Sequence, residues 1–464
     1  MGNFQIKKIR RGPSRKPLSE KAKQNIATAL GILFLILLIY YGGVQIVDKL
    51  SGTRLIEIIS GVVGKDLQTD KTGHTNILIA GVGGEGHEGK DLTDTLIITS
   101  INHAKKSIAL LSVPRDLYVE SSLGGSRVNR LYEKGKLKWG SSEGLDFLRK
   151  NIENVLDIPV HYSVRIDFEA FEKIVDSLDG VDINVEEEIN DPLYPDDKTF
   201  GFSPFFLPAG LQHLDGETAL KYVRSRKSSS DFDRSKRQQK LLMALKEKAF
   251  SQNIFFRKGF LKNLYYSLED HMETNMSMRE MLSFADFGIQ LDTKQLSVAT
   301  LNDEPIFVGG FLYTPLRELY GGAFVLLPAG DDYTSVKYFI QLVLYGPKNL
   351  DAASLAILNG TDENGLASKT KSILHRFGIK TKYVSNAYAE NLTETTWYAA
   401  EPEANELINF LKQMIPGKVS DQIPDIYKQN PKMAEAKIIL ELGENAKQSL
   451  EKLDIFKNVV QYVK

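Results

Sequence analysis

The longest apolar segment of the chain lies near its N-terminus. Residues 25–47 carry no charge, and their centre, 32–39, is almost purely aliphatic. At ~1.5 Å per residue a helix of this length spans about 34 Å, enough to cross a hydrocarbon core of ~30 Å. A secretory signal has a shorter apolar region, and a buried core helix usually keeps a polar face. The pattern therefore predicts an uncleaved transmembrane helix over 25–47.

Beyond residue 72 short apolar runs alternate with segments of helical periodicity. Strands are predicted over 76–80, 95–100, 108–113 and 180–185. Helices are predicted over 142–156, 167–178, 215–223 and 234–250, and Ser277 with Glu280 can form a capping box that starts another. Strands interleaved with helices favour a layered α/β domain.

A second unit begins near residue 349. It is predicted to hold a strand over 354–358, a turn over 359–361, a helix over 365–377 and a strand over 379–384. This order is typical of a compact βαβ unit. The predicted fold class is therefore α/β, with a layered α/β/α domain around a mixed central sheet, an N-terminal transmembrane helix and a small C-terminal α/β domain.

These patterns divide the chain into seven segments. They are a basic tail (1–24), the transmembrane helix (25–47), a stalk (48–72), a catalytic domain (73–250), a helical and strand-containing connector (251–348), a C-terminal α/β domain (349–445) and a C-terminal tail (446–464).

Charge is distributed unevenly along the chain. Residues 1–23 hold eight bases and one acid, whereas the 464-residue chain has a formal net charge of -1. By the positive-inside rule the tail stays in the cytoplasm, which predicts a single-pass protein of the cell membrane with residues 50–464 outside the cell. The balanced total charge argues against a nucleic-acid partner. The absence of cysteine excludes disulfides, thiolate zinc sites and a cysteine nucleophile.

The strongest candidate for chemistry is an arginine-rich segment at 221–240. Four arginines fall within fourteen residues, at positions 224, 226, 234 and 237. If 234–250 is helical, Arg234 and Gln238 share a face with Leu241, so Arg234 is expected to point inward and to need anionic partners. Several guanidinium forks gathered by one loop suit a diphosphate, although a solvated basic loop is the ordinary alternative. Asp231 has two possible roles, orienting an arginine or holding a metal.

Two further candidates lie at the ends of predicted strands. Arg115 and Asp116 follow the strand at 108–113, where residues are well placed to face a site, but an exposed ion pair is the alternative. A glycine-rich loop (81–86) follows the strand at 76–80. Asp91 and Asp94 lie between this loop and the strand at 95–100, where they are candidate Mg²⁺ ligands or simple turn residues. The seven histidines are scattered, and neither a zinc pattern nor a serine-hydrolase elbow is present in the sequence.

Taken in order, these motifs resemble the LytR–CpsA–Psr family of cell-envelope enzymes. The resemblance covers roughly 74–250 and is carried by the segments Asn76–Val82, Thr93–Thr95, Ser112–Asp116, Leu178–Asp182, Gly210–Leu220, Arg224–Arg226 and Asp231–Gln238. The segment from Leu355 to Thr361 onward resembles the LytR C-terminal domain that often accompanies this family.

The resemblance implies a phosphotransferase that moves a glycopolymer, such as teichoic acid or capsule, from an undecaprenyl-pyrophosphate carrier to peptidoglycan. Pyrophosphatase activity on the carrier is a possible side activity. The resemblance also implies the residue roles. Arg115, Arg224, Arg226, Arg234 and Gln238 would bind the diphosphate; Arg115, Arg224, Arg226 and Asp231 would form the catalytic set; and Asp94, Asp231 and Asp91 would hold Mg²⁺ or Mn²⁺.

The chain departs from the family pattern at two positions. The family often has an aspartate where this chain has Gly83, and an arginine where it has Leu92. Asp91, Glu85 or His87 could compensate for the missing carboxylate. Two alternatives stay open: a polyprenyl-pyrophosphate hydrolase, which shares the phosphate grip, and a non-catalytic cell-wall-binding scaffold.

Overall fold

The computed structural model describes most of the chain beyond residue 66. The described residues are 67–225 without 88 and 197–200; the helical positions 237, 240, 241, 244, 245 and 248; and 267–454 without 278–279, 281–282, 285–295, 303–309, 331, 348–349, 351–353, 400–403 and 434. The predicted transmembrane helix at 25–47 lies outside these residues. Among the helices that are described, none combines the length and apolar character needed to span a bilayer.

A mixed six-stranded sheet forms the centre of the first domain. Its strands are β1 (His74–Val82), β2 (Thr93–Asn102), β3 (Ser107–Ser112), β6 (Tyr162–Ile166), β13 (Met272–Thr274) and β14 (Leu296–Thr300). They are arranged in the order β13-β6-β1-β2-β3-β14. β1 runs parallel to β6 and antiparallel to β2, and β3 pairs antiparallel with β2 and parallel with β14. The prediction of a mixed central sheet is confirmed.

Both faces of this sheet are buried. Leu78 and Ala80 of β1 point to one face, which is covered by helices α1 (Leu131–Trp139) and α2 (Ser141–Leu156) after a 3₁₀ turn at Val128–Arg130. Ile77 and Ile79 point to the opposite face, where Met276 and Phe284 pack. Because successive strand residues alternate between faces, the unbroken apolar run of β1 requires this two-sided cover.

A second apolar cluster lies beside the sheet. It is built from helices α3 (Phe168–Ser177) and α4 (Gly216–Arg224) and from the first two of three short antiparallel strand pairs. The pairs are β7 (Val181–Val185) with β12 (Gly210–Leu214), β8 (Ile189–Asp191) with β11 (Phe205–Leu207), and β9 (Pro195–Asp196) with β10 (Gly201–Phe202). Asp167 and Asp215 cap the two helices by accepting the backbone N–H groups of Ala170 and Thr218.

Two further pairs of short strands and one long helix complete the first domain. The pairs are β4 (Tyr118–Val119) with β5 (Ser126–Arg127) and β15 (Leu312–Tyr313) with β16 (Leu327–Pro328), with a 3₁₀ helix at Arg317–Tyr320. Helix α5 (Thr334–Tyr345) buries Val336 and Ile340 in the same apolar cluster as the helix face of the central sheet.

The C-terminal domain is a five-stranded sheet with three helices on one face and one short helix on the other. Its strands are β17 (Leu355–Asn359), β18 (Thr381–Asn386), β19 (Thr396–Ala399), β20 (Lys418–Ser420) and β21 (Ile438–Leu442), in the order β18-β17-β21-β19-β20. Its helices are α6 (Leu366–Arg376), α7 (Ala404–Met414), α8 (Asp425–Lys428) and α9 (Ala446–Leu453). Strands β17 and β18 are parallel and joined by α6, so the predicted βαβ unit is confirmed.

The structure differs from the predicted segments in two places. Strands β13 and β14 come from the predicted connector, yet they form the two edges of the central sheet. Residues 446–453, placed in a C-terminal tail, form helix α9, because Ala446 and Leu450 bury fully against the sheet. The predicted capping box is confirmed: the Ser277 N–H donates to Glu280 Oε2 at 2.8 Å, and the Glu280 N–H donates back to Ser277 Oγ at 3.4 Å.

Candidate functional site

One end of the central sheet holds most of the charged residues that the sequence singles out and the structure describes. The strands β1, β3 and β6 end there and β2 begins there, because β2 is antiparallel to both of its neighbours. The glycine-rich loop after β1 therefore meets Asp94 at the start of β2, Arg115 after β3 and the start of α3 after β6. The order and direction of the strands therefore bring residues from distant parts of the sequence to this end of the sheet.

Arg115 is the centre of an ion-pair network at this edge. Its Nη1 donates to Asp94 Oδ1 at 2.8 Å, and its Nε lies 3.5 Å from Asp116 Oδ2. Asp116 is held in turn by Arg127 Nη1 at 3.0 Å. Partial burial opposes the charge on Arg115, but the two carboxylates outweigh this effect and raise the pKa of the guanidinium. The side chains of Arg115 and Asp94 remain 42% and 49% exposed, so both are open to a ligand.

Arg224 reaches the same region from the last turn of α4. Its guanidinium carbon lies 4.4 Å from the ring centre of Phe168, the first residue of α3, and 5.7 Å from that of Tyr194. Phe168 in turn contacts the glycine-rich loop, since its N–H donates to Gly83 O at 3.4 Å and its ring meets that of His87 at 5.0 Å. Two aromatic rings within ~6 Å of the guanidinium are favourable cation–π partners that help to hold Arg224 in place.

The glycine-rich loop is closely packed on its inner side. A Cβ at Gly83 would lie 2.9 Å from the Cβ of His87, and one at Gly84, where φ is +86°, would lie 2.8 Å from the Cβ of Asp167. The aspartate that the family often has at position 83 would therefore require the loop to move. Asp91, at the end of this loop, accepts from Lys136 Nζ of α1 at 2.6 Å.

Several charged residues at this end of the sheet were not predicted from the sequence. Arg165 is the last residue but one of β6, and its Nε donates to Glu273 Oε2 at 3.2 Å. Asp167, which is buried, lies 3.1 Å from His271 Nδ1 through its Oδ2. Arg165 lies near the end of a strand, but the strand at Tyr162–Ile166 was not among those predicted from the sequence. No short-range pattern in the sequence predicts His271 and Glu273, because His271 directly precedes the edge strand β13 and Glu273 lies within it.

Four of the predicted site residues lie outside the described residues: Arg226, Asp231, Arg234 and Gln238. Their predicted roles stay predictions. The neighbouring Arg237 is described, and it is buried. Its Nε donates to the carbonyl of Tyr222 at 2.8 Å, and its Nη2 donates to the carbonyl of Ser225. Arg237 therefore ties the end of α4 to the helix that contains the buried Leu241 and Leu245.

A divalent cation could find a ligand here in Asp94. Its carboxylate is half-exposed and uses one oxygen for Arg115, while the nearby Asp91 is occupied by Lys136. The described residues contain no group of three or more histidine or acidic side chains arranged to hold a metal. Mg²⁺ is commonly bound by one or two carboxylates together with substrate phosphates, and a site of this sparse kind fits Asp94.

Comparison with known proteins places these features in a family. A model of the LytR_cpsA_psr family matches residues 40–319, and a model described as LytR cell envelope-related transcriptional attenuator matches residues 352–444. Two curated relatives come from Bacillus subtilis (strain 168), and both are named polyisoprenyl-teichoic acid–peptidoglycan teichoic acid transferases. TagV is 25% identical over 241 residues, which cover 50% of this chain and 58% of TagV. TagT is 28% identical over 251 residues, which cover 53% of this chain and 70% of TagT.

Solved structures of such relatives are also similar to this chain. The crystal structure of B. subtilis TagV matches with 24% identity and a TM-score of 0.42, over 60% of this chain and 100% of that chain. The structure of TagT bound to LIIa-WTA matches with 26% identity and a TM-score of 0.41, over 60% of this chain and 94% of that chain.

Proposed function

The chain belongs to the LytR–CpsA–Psr family, and on that premise we propose that it is a membrane-anchored phosphotransferase of cell-wall assembly. Its donor is a glycopolymer linked to an undecaprenyl-pyrophosphate carrier, and its acceptor is peptidoglycan. The observation that carries the proposal is the pair of Arg115 and Asp94 at one end of the central sheet, together with Arg224 held over Phe168, which follows β6 at the same end. The names of the curated relatives, which are teichoic acid transferases, support the same class of reaction.

Arg115 and Arg224 approach the site from different sides. Arg115 is half-exposed and paired with carboxylates, and Arg224 is stacked on Phe168 and Tyr194. Two planar forks held in this way suit the two phosphates of a pyrophosphate, because each guanidinium can donate to two oxygens at once. Arg226, Arg234 and Gln238 complete the diphosphate grip in this proposal.

The reaction requires one bond to form and one to break at phosphorus. A sugar hydroxyl of peptidoglycan attacks the phosphorus that bears the glycopolymer, and the bond from that phosphorus to the bridging oxygen breaks. Undecaprenyl phosphate leaves, and Asp231 takes the hydroxyl proton. Arg115 and Arg224 neutralise charge on the phosphates, which is the main contribution a protein makes to phosphoryl transfer. A bound Mg²⁺ or Mn²⁺ would supply further charge neutralisation, with Asp94 as a ligand; Asp231 would be a second ligand only if another group took the proton.

The proposed location follows from the carrier. A lipid-linked donor keeps its headgroup at the membrane surface, so the enzyme must work beside the bilayer. The predicted helix at 25–47, with its basic tail in the cytoplasm, would hold the domains on the outer side of the membrane.

A reconstituted assay tests the proposal. The full chain, in vesicles that contain a polyprenyl-pyrophosphate-linked oligosaccharide, is mixed with soluble peptidoglycan fragments and Mg²⁺. We expect a phosphodiester-linked conjugate of oligosaccharide and peptidoglycan, and we expect Arg115→Ala to lower its rate at least ~100-fold. The matched control is Arg317→Ala, since Arg317 lies over the ring of Phe324 at 5.5 Å.

The products separate the alternatives. Release of oligosaccharide phosphate without conjugate, at the same rate with and without peptidoglycan, would indicate a hydrolase. A wild-type chain that binds peptidoglycan but consumes no donor would indicate a scaffold. Either result would overturn the transferase proposal.

A further inference from the structure

The glycine-rich loop lies directly on a buried carboxylate, that of Asp167. This residue follows β6, and only 7% of its surface is exposed. A Cβ at Gly84 would lie 2.8 Å from the Asp167 Cβ and 3.2 Å from its Oδ2, so the loop backbone passes close over this side chain. The loop closes on itself here, because the Gly84 N–H donates to the Lys90 carbonyl at 3.0 Å. A displaced Asp167 side chain would therefore displace the loop.

Each oxygen of the Asp167 carboxylate has its own partners. Oδ1 accepts the Ala170 N–H at 2.8 Å and so caps α3. Oδ2 lies 3.1 Å from His271 Nδ1 and 4.0 Å from Arg165 Nη1. The Asp167 N–H also donates to the His271 carbonyl at 3.2 Å. A buried carboxylate needs such partners, and here they tie the start of α3 to the edge of the central sheet.

Helix α3 in turn determines where Arg224 lies. The first residue of α3, Phe168, places its ring 4.4 Å from the Arg224 guanidinium carbon. Helix α4, which ends at Arg224, also begins on α3, since the Gly216 N–H donates to Asp176 Oδ1 at 2.7 Å. A Cβ at Gly216 would lie 2.7 Å from the Cα of Glu172, so the two helix backbones are in direct contact. Both ends of α4 are therefore placed by α3.

We propose that Asp167 is a positioning residue of the proposed transferase. It holds α3 against the glycine-rich loop and thereby sets the position of Arg224 relative to Arg115 and Asp94. The Asp167 carboxylate itself contacts no substrate. The inference rests on the proposed function, because it requires that Arg224 binds the donor diphosphate.

A second capping aspartate provides a matched control. Asp215 caps α4 in the same way, by accepting the Thr218 N–H at 2.8 Å, but it is exposed. Loss of a cap alone should lower the stability of Asp167→Ala and of Asp215→Ala. Only Asp167→Ala should also displace the glycine-rich loop from α3, so only this variant should lose activity.

A double-mutant cycle with Arg224→Ala provides the test, with the full chain assayed in vesicles for conjugate formation. We expect Asp167→Ala to lower kcat/KM at least ~10-fold, since a misplacement of about 1 Å can lower a rate ~10²-fold. Asp167→Asn keeps the cap and the volume beneath Gly84, so it and Asp215→Ala should stay within about threefold of the wild type. In an Arg224→Ala background, Asp167→Ala should have less than about a threefold effect, because residues that act through one another are not additive.

Two glycines of the loop test the same contact and leave the buried carboxylate in place. Gly84 and Gly86 have φ angles of +86° and +83°, so alanine is similarly strained at both. A Cβ at Gly84 meets Asp167, whereas one at Gly86 meets no heavy atom of the described residues within 4 Å. Gly84→Ala should therefore reproduce the Arg224-dependent loss of at least ~10-fold, and Gly86→Ala should stay within about threefold of the wild type. This pair decides the question if Asp167→Ala does not fold.

Three results would overturn the proposal. Equal losses in the wild-type and Arg224→Ala backgrounds would leave Asp167 as an ordinary helix cap. A loss in Asp167→Asn as large as in Asp167→Ala would assign the effect to the charge of the carboxylate. Wild-type activity in both Asp167→Ala and Gly84→Ala would show that the contact does not position Arg224.

Binding of inorganic pyrophosphate separates this inference from the proposed function. Its Kd, measured by calorimetry with Mg²⁺, should rise at least ~10-fold in Asp167→Ala and Gly84→Ala, and this rise should disappear in the Arg224→Ala background. A chain that shows this cycle but forms no conjugate refutes the transferase alone. An active chain with additive losses refutes the positioning role alone, and a wild-type chain that neither forms conjugate nor binds pyrophosphate refutes both.

Discussion

Replacing Arg224 tests the site where the structure is most specific. In Arg224→Ala the guanidinium that stacks on Phe168 at 4.4 Å and lies 5.7 Å from Tyr194 is lost, but both rings stay in place. Tyr194 is buried, and Phe168 is fixed as the first residue of α3. The variant should therefore fold like the wild type and differ in its hold on phosphate.

The expected size of the effect follows from the contacts at stake. A bidentate guanidinium makes two charge-assisted hydrogen bonds to phosphate, and each contributes about 1.5–3 kcal/mol. Their loss raises the barrier by ~3–6 kcal/mol, which corresponds to a fall in kcat/KM of ~10²–10⁴-fold. Arg224→Lys keeps the charge but loses the fork, so we expect a fall of ~10–100-fold. Phe168→Leu removes only the platform for the guanidinium, a loss of about 0.5–1 kcal/mol, or ~2–5-fold.

The assay is conjugate formation from the reconstituted donor, measured over a range of donor concentrations. Arg317→Ala serves as control, because it also removes an arginine that lies over an aromatic ring. The reasoning would be refuted if Arg224→Ala kept its activity within about threefold of the wild type. It would also be refuted if Phe168→Leu lowered kcat/KM as much as Arg224→Ala does, since the ring would then do more than orient the guanidinium.

Three further predictions concern the metal, the pH dependence and the C-terminal helix. Asp94→Asn should raise the Mg²⁺ concentration for half-maximal activity by ~10-fold or more, and full activity in EDTA would contradict any metal role. Burial lowers the pKa of His161, whose Nδ1 accepts the Asn76 N–H at 3.0 Å. Below the ordinary histidine pKa of ~6.5 the unfolded chain therefore binds more protons than the folded chain, so Tm should fall as the pH is lowered. The fall should be less steep in His161→Asn. An unchanged slope of Tm against pH in this variant would exclude His161 as a cause. Leu450→Ala in α9 should lower the free energy of unfolding, measured with denaturant, by ~2–5 kcal/mol, because Leu450 is fully buried. A decrease below ~1 kcal/mol would show that α9 is not needed for the stability of the domain.

The elements of the first domain were predicted well where the hydrophobic residues follow the periodicity of a single strand or helix. The apolar run at 76–80 became the centre of β1, and the helix expected at 142–156 is α2 at Ser141–Leu156. The edges of the sheet were not predictable, because β13 and β14 are short strands whose assignment depends on partners far away in the chain. Helix α9 was missed for a related reason, since its eight residues are too few to be stable without tertiary packing.

The candidate site was predictable in part. Arg115 and Asp94 are close in space because antiparallel strands bring the end of β3 beside the start of β2, and the family resemblance implied that both belong to one site. The pairing of Asp91 with Lys136 was not foreseeable, because it depends on how α1 crosses the end of the sheet. The same applies to Arg165 and Glu273, which meet only through the pairing of β6 with β13.

The ion pairs at this edge differ in how readily they can release a side chain to substrate. The pair of Arg115 with Asp94 is about half-exposed on both sides, so it contributes only ~0.2–1 kcal/mol. Each charge-assisted bond from Arg115 to a diphosphate contributes about 1.5–3 kcal/mol. Binding of Arg115 to the diphosphate is therefore more favourable than its pairing with Asp94. The carboxylate of Asp116, which is only 17% exposed, keeps Arg127 as a partner at 3.0 Å and continues to hold Arg115 from behind. In the proposed mechanism, a diphosphate would detach Arg115 from Asp94 without releasing it from Asp116, and the Asp94 carboxylate would become available when the phosphates bind.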